Sequence, residues 1–250
     1  MSHVIAVCGK GGVGKTTISA LLARALAAGS DGRVLAVDAD PAGGLAMALD
    51  WSLEGSINDL RQEILDSLER SKTDKTDLAA AIDYRLLEML SDRDNLALLA
   101  VGRPEEAGCY CNLNTVLREA IEALADHFRY TIVDAEAGLE QVNRRVMRSV
   151  THLLLVTDPG AKGVRVAEEI KALAEEAVEP TRVGLLINRV RSDDEVTAIR
   201  SRTSLDVIAT IPEDETVRSF DAQARSLLEL PACPAFEAVT AWIGDGDFLG

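Results

Sequence analysis

Seven short runs rich in valine, isoleucine and leucine punctuate the chain, at 4–8, 34–38, 96–101, 131–134, 152–157, 183–188 and 207–211. Their apolar residues follow one another without a polar alternate, so each predicts a strand covered on both faces, as in a parallel sheet. Between most of them lie apolar stripes at helical spacing. The first is Ile18, Leu22 and Ala25; the second is Val116, Leu117, Ala120, Ile121 and Leu124; the third is Ala167, Ile170, Leu173, Ala174 and Ala177. Alternating strand and helix predicts an α/β fold, a mostly parallel central sheet of about seven or eight strands flanked by helices. The interval 51–95 breaks the rhythm. Leu60, Ile64 and Leu68 suggest a helix there, and the polar, charged stretch 71–77 suggests an exposed loop. No stretch rich in proline, glycine and serine divides the chain, so 51–95 reads as a helical and loop insertion on a single domain spanning 1–250.

The first strand runs into Gly9-Lys10-Gly11-Gly12-Val13-Gly14-Lys15-Thr16, which fits GxxxxGK[ST] in the strand-to-helix context that such a loop requires. Glycines allow backbone amides to turn inward around phosphate oxygens, Lys15 supplies charge to the β- and γ-phosphates, and the Thr16 hydroxyl can hold Mg²⁺. Thr17 follows on the same turn. Lys10 is not part of the general pattern: it is either a surface charge or a cation that reaches a nucleotide on another subunit, as arginine fingers do.

Carboxylates end two further strands. In Val37-Asp38-Ala39-Asp40-Pro41 they close a strand expected to run beside the phosphate loop, with Asp38 assigned to the magnesium shell and Asp40 to positioning water. In Ile132-Val133-Asp134-Ala135-Glu136-Ala137-Gly138, Asp134 stands where a Walker B aspartate orders Mg²⁺, and Gly138 can bring an amide to the γ-phosphate. The plainer role for any one of these aspartates is to cap a helix or start a loop.

Composition narrows the partners. The chain has 250 residues, 47% hydrophobic and 27% charged, which excludes whole-chain disorder. Lysine and arginine total 26 against 41 aspartates and glutamates, a formal charge of -15 that disfavours nucleic acid and anionic lipid as partners. The longest apolar run, 96–101, falls far short of the roughly 20 residues of a membrane helix. Met1-Ser2-His3 has no basic leader, so a cytoplasmic protein is expected.

Four cysteines in a chain of this size do not make a disulfide scaffold. Cys8 and Cys233 read as small core residues, and His3, His127 and His152 as surface or core histidines. Cys109-Tyr110-Cys111 precedes a helix expected to start near Asn112 or Asn114, whose N-terminus favours thiolate. Two thiolates are half of a four-sulfur site, and a two-fold dimer would complete it. The same spacing also suits a redox pair or two unrelated thiols.

With these residues in view, the nine-residue segment 9–17 resembles the deviant Walker A motif of the MinD/ParA/nitrogenase iron protein class of P-loop ATPases. In that class the lysine at the position of Lys10 acts across an ATP-bound homodimer. Asn188 in Ile187-Asn188-Arg189-Val190, and Pro212 after Ile211, resemble its adenine-contacting positions. More narrowly, Gly102-Arg103-Pro104-Glu105-Glu106-Ala107-Gly108-Cys109-Tyr110-Cys111, together with 134–140, resembles the CooC-type ATPases. These maturation factors assist nickel insertion into carbon monoxide dehydrogenase or the related acetyl-CoA synthase. The resemblance, which runs from residue 3 to about 230, implies an ATP-dependent homodimer with Cys109 and Cys111 of each subunit on one shared metal, nickel or zinc, and a client nickel enzyme. Two rival expectations come with the class: an electron-transfer iron protein with a [4Fe–4S] cluster between subunits, and a positioning ATPase. The second needs a basic surface or tail, and no lysine or arginine follows Arg225.

Overall fold

Each of the seven apolar runs lies in a strand of one sheet. The computed structural model describes residues 2–29, 32–70, 75–103, 111–135, 150–177 and 180–249. Its strands are β1 (His3–Gly9), β2 (Val34–Asp38), β3 (Ser91–Arg93), β4 (Leu96–Ala100), β5 (Tyr130–Asp134), β6 (His152–Thr157), β7 (Arg182–Val190) and β8 (Val207–Pro212), in the order β3-β4-β2-β5-β1-β6-β7-β8. All neighbours are parallel except β3, a short edge strand antiparallel to β4. The helices are α1 (Lys15–Gly29), α2 (Gly44–Leu49), α3 (Ile57–Arg70), α4 (Lys75–Met89), α5 (Cys111–Ala125), α6 (Ala161–Ala177), α7 (Asp193–Arg200), α8 (Glu215–Ala222) and α9 (Pro234–Asp245).

Successive strand residues bury into opposite layers, as a period of two requires. Val4, Ala6, Leu35, Val37 and Leu99 share one apolar cluster with Leu60, Ile82, Ile121 and Ala167 of the helices on that face. Ile5, Val7, Val34, Ala36 and Leu98 share the other with Ile18, Leu22 and Val239. Among the described residues no helix is long and apolar enough to cross a membrane.

Three expectations change. The strand carrying Asp38 is not the neighbour of β1, because β5 lies between β1 and β2. The crossover helix α1 is about 10 Å wide, roughly two strand spacings, and so leaves room for a strand between the two it connects. Lys75, Thr76 and Asp77 belong to α4 and not to a loop, while 71–74 lie outside the described residues. The helical period runs on through Ile82, Leu86 and Met89, all of them buried, and that apolar stripe outweighs the polar start. Leu173, at the margin of the α6 stripe, is 52% exposed.

The start of α3 is held by a reciprocal cap. The Ser56 amide donates to Asp59 Oδ2 at 2.7 Å and the Asp59 amide to Ser56 Oγ at 3.3 Å. Asn58 Nδ2 then donates to the carbonyls of Val101 and Gly102, at 2.9 and 2.8 Å, fixing the chain where it leaves β4. Gly102 has φ 77° and packs where a Cβ would strike the Ser56 side chain, so glycine is required there.

At the opposite end of the sheet His152 is buried, edge-on to Phe248 at 5.2 Å and 5.3 Å from the His3 ring. Burial, then the His3 and Arg182 charges, push its pKa down from 6.5 to about 4. The unfolded chain therefore binds the extra proton first. Stability that is complete above about pH 6.5 should fall as the pH drops towards 4, by up to about 3 kcal/mol. Urea unfolding between pH 7 and 4 should show a shallower loss for His152→Phe than for wild type.

Candidate functional site

The carboxyl ends of the central strands converge on one edge of the sheet, where ligands of open α/β sheets bind. There β1 delivers the glycine-rich loop. Gly9 sits with the Val156 carbonyl of β6 where its Cβ would be, and Gly12 and Gly14 take φ 84° and 92°. Val13 is fully buried and anchors the loop in the apolar layer beneath, whereas Lys10, Gly11 and Gly12 are exposed. Lys15 opens α1 and is 8% exposed, its Nζ donating to the Lys10 carbonyl at 3.4 Å. Loop amides, the helix N-terminus and this cation together favour an anion.

Two residues from β7 brace the loop. Asn188 Nδ2 donates to the Val13 carbonyl and Arg189 Nη1 to the Gly12 carbonyl, each at 2.9 Å. They reach it because the β7–β8 register shifts between Ile187 and Val190 and Arg189 adopts φ 58°, an irregularity that re-aims side chains. Asn188, Thr17 and Pro212 line one cleft with Arg189, Asp214 and Arg218, which brings together the residues expected around a base.

Asp38 and Asp134 are register partners across β2 and β5, and both are 1% exposed. Ser19 Oγ donates to Asp134 Oδ1 at 3.0 Å, while Oδ2 is buried with no hydrogen-bond partner. Burial pushes this carboxyl up to about 7, against the pull of the Thr16 and Ser19 hydroxyls; Asp38 adds to the rise and Lys15 opposes it. A buried carboxylate oxygen without a partner, beside a threonine hydroxyl, is a hard-oxygen donor set that fits Mg²⁺. Asp38 also shapes the backbone beside the site. Its oxygens accept the Asp40 amide at 3.2 Å and the Ala46 amide at 3.0 Å, so it folds the 39–46 loop. Burial raises its pKa too, partly offset by those amides.

That loop carries Asp40, half-buried, whose Oδ1 accepts the Ala42 amide at 2.8 Å. Its far end meets the phosphate loop, since a Cβ on Gly44 would lie 3.5 Å from Thr16 Oγ1. Arg103 Nε donates to the Pro41 carbonyl at 2.9 Å and ties the loop to the segment that leads towards Cys109. Cys109 and Gly138 lie outside the described residues. Cys111 is the first residue of α5, one position before the earliest start expected from sequence. Cys8 and Cys233 are buried, as core residues should be, and burial lifts the Cys8 thiol to about 12.

Sequence reasoning missed Ser19, Arg189 and Arg103. Ser19 has a legible signal, three residues after Thr16 and thus on the same helix face. Arg189 has none, because a left-handed arginine leaves no trace in spacing.

Residues 4–227 match the family described as "CobQ/CobB/MinD/ParA nucleotide binding domain". An "uncharacterized ATP-binding protein" of Methanocaldococcus jannaschii is 33% identical over 234 residues, 91% of each chain. The carbon monoxide dehydrogenase accessory protein CooC of Rhodospirillum rubrum is 31% identical over 242 residues, 92% of this chain and 91% of that one. The septum site-determining protein MinD of Pyrococcus horikoshii OT3, solved with Mg-ADP, shares the fold with a TM-score of 0.71 at 22% identity, covering 100% of this chain and 97% of its own. With its glycine loop, buried Asp134 and doubly wound sheet, the chain belongs to the CobQ/CobB/MinD/ParA nucleotide-binding family of P-loop ATPases.

Proposed function

We propose that the chain is a cytoplasmic ATPase that dimerises with ATP, holds a metal ion between its subunits on Cys109 and Cys111, and assists insertion of that metal into a client enzyme. Nickel is the favoured cargo, zinc a competitor for the same thiolates, and carbon monoxide dehydrogenase or acetyl-CoA synthase the client. The observation that supports this reading is the Arg103–Pro41 hydrogen bond, which ties a residue six positions before Cys109 in sequence to the loop shaped by Asp38 and Asp40. The 31% identity to CooC over 92% of the chain adds the client class.

In this reading the amides of Gly9, Gly11, Gly12, Val13 and Gly14 and the Lys15 ammonium hold the phosphates, with Thr17, Asn188 and Pro212 around the base. Thr16, Asp134 and Asp38 form the Mg²⁺ shell, Asp38 also keeping the adjacent loop in register, and Gly138 presents its amide to the γ-phosphate. The metal ion supplies charge neutralisation of the transferring phosphoryl group. Asp40 orients the attacking water and Lys10 reaches the partner's phosphates. Loss of the γ-phosphate would release the 38–46 loop and, through Arg103, the segment leading to the thiolates.

Metal analysis of the dimer trapped with a non-hydrolysable ATP analogue tests the reading. One nickel per dimer is expected for wild type, close to none for Cys109→Ser with Cys111→Ser, and undiminished binding by the double variant would overturn it. Arg103→Ala should keep the metal yet release it no faster when ATP is hydrolysed.

A second expectation concerns Arg189. Arg189→Ala removes the bond to the Gly12 carbonyl and should raise the KM for ATP about tenfold, in line with roughly 1.5 kcal/mol for a charge-assisted hydrogen bond. Arg189→Gly should bind ATP equally poorly but unfold at a higher temperature than the alanine variant, because glycine tolerates φ 58° at no cost.

A further inference from the structure

A groove of about 400 Å³ opens between α4 and α5, beside Arg33 at the start of β2 and so at the opposite end of the sheet from the phosphate loop. Leu86, Leu87 and Leu90 form one wall, and Ala120, Ala123 and Leu124 the other. Two alanines on α5 leave a channel that larger side chains would fill. Leu87 stands at its mouth 59% exposed, and Tyr84, one turn earlier on α4, is 63% exposed. An apolar channel continuous with exposed apolar side chains on one helix suits an inserted helix face better than an enclosed small molecule.

The charges around it point one way. Asp83 lines the groove, Glu119 is exposed on α5 and Asp126 is exposed just past the end of that helix; among the described residues none of the three makes an ion pair. Arg33, the arginine that lines the groove, and Arg85 on α4 are already engaged. Arg33 pairs with Asp92 and lies over the Phe128 ring at 5.0 Å, and Arg85 pairs with Glu63 at 2.7 Å and Glu88 at 2.8 Å. His127 is exposed, with Nδ1 2.9 Å from the Ala123 carbonyl. Among the described residues that line the groove, the acidic Asp83 is therefore without a partner of opposite charge, whereas Arg33 has one.

We propose that the groove between α4 and α5 docks an amphipathic helix of a partner protein, leucine-like along the inserted face and flanked by lysine or arginine. The site is separate from nucleotide and metal binding, although α5 carries the groove along its second half and Cys111 at its start, about 14–20 Å apart at 1.5 Å per residue.

The test uses the full chain and a fluorescein-labelled 18-residue helix of leucine and lysine, read by anisotropy, with the same helix bearing glutamate for lysine as its counterpart. The basic helix should bind saturably at one per chain and the acidic one should not. Leu87→Ser should weaken binding at least tenfold, and Asp83→Lys should weaken the basic helix while admitting the acidic one. Both variants should keep wild-type circular dichroism and ATP hydrolysis, so a failure here is distinguishable from a failure of the metal reading. Equal binding by wild type and both variants would assign the attraction to the overall charge and overturn the proposal. So would a nucleotide-free dimer, seen by sedimentation, that Leu87→Ser converts to monomer, since a second copy would then be the occupant.

Discussion

An Asp134→Asn protein is expected to melt at a higher temperature than wild type in the absence of nucleotide, and to hydrolyse MgATP about 10²–10³ times more slowly. The two effects have one cause. Asp134 is 1% exposed, its Oδ2 has no hydrogen-bond partner, and the register places it opposite a second buried carboxylate, Asp38. The apoprotein thus carries a desolvation cost that Lys15 and the Thr16 and Ser19 hydroxyls offset only in part, which is why the carboxyl is pushed up to about 7. Asparagine retains the Ser19 hydrogen bond through its carbonyl oxygen and removes the charge, a gain of roughly 1–3 kcal/mol, or about 2–6 °C for a chain of this length. What is lost is the oxygen that should hold Mg²⁺ beside the phosphates. Adding MgATP should accordingly stabilise wild type much more than the variant, since only a ligand bound to the native state raises its melting temperature. Thermal denaturation with and without MgATP, alongside steady-state hydrolysis, reads both arms. A variant less stable than wild type without nucleotide would sink the argument, for Asp134 would then be a structural residue.

What the sequence conveyed about this site depends on which physical constraint each residue answers to. The seven strands were legible because burial on both faces demands unbroken apolar runs, and the phosphate loop because Gly12 and Gly14 need backbone angles that glycine adopts freely. The position of β2 was not legible, because strand order is a matter of how wide a crossover helix is and not of local composition. Asp38 shows a subtler limit. A carboxylate at the end of a strand looks the same whether or not it also holds backbone amides, and here each of its oxygens accepts one from the 39–46 stretch. Arg103 and Arg189 act through hydrogen bonds to carbonyls of residues distant in sequence, Pro41 and Gly12, and no periodicity encodes such a contact. The second helix of the 51–95 interval was obscured for the opposite reason: its polar opening masked an apolar stripe that includes the buried Ile82, Leu86 and Met89.

Mixing two inactive variants should restore hydrolysis if Lys10 serves the partner subunit. Lys10 and Lys15 lie five residues apart on one loop but in different environments. Lys15 is 8% exposed and directed back along the loop to the Lys10 carbonyl, whereas the Lys10 side chain is exposed and its backbone, not its ammonium, engages the local site. A cation placed outward from its own loop can stabilise transferring phosphate only on a facing molecule, and in a two-fold dimer each subunit would supply the other. Lys15→Met should abolish hydrolysis at its own site yet leave Lys10 to offer. Lys10→Ala should preserve its own phosphate loop but offer nothing across the interface. Each homodimer is then expected to fall about 10²–10³-fold in kcat. In an equal mixture half of randomly paired dimers join one variant to the other, and each of these has one complete site of two, so activity should return to about a quarter of the wild-type rate. Failure to recover, with mixed dimers verified by differently tagged subunits, would mean that Lys10 acts on its own nucleotide. A Lys10→Arg protein that retains most of its activity would further show that charge and reach, more than the identity of the amine, are what the facing site requires.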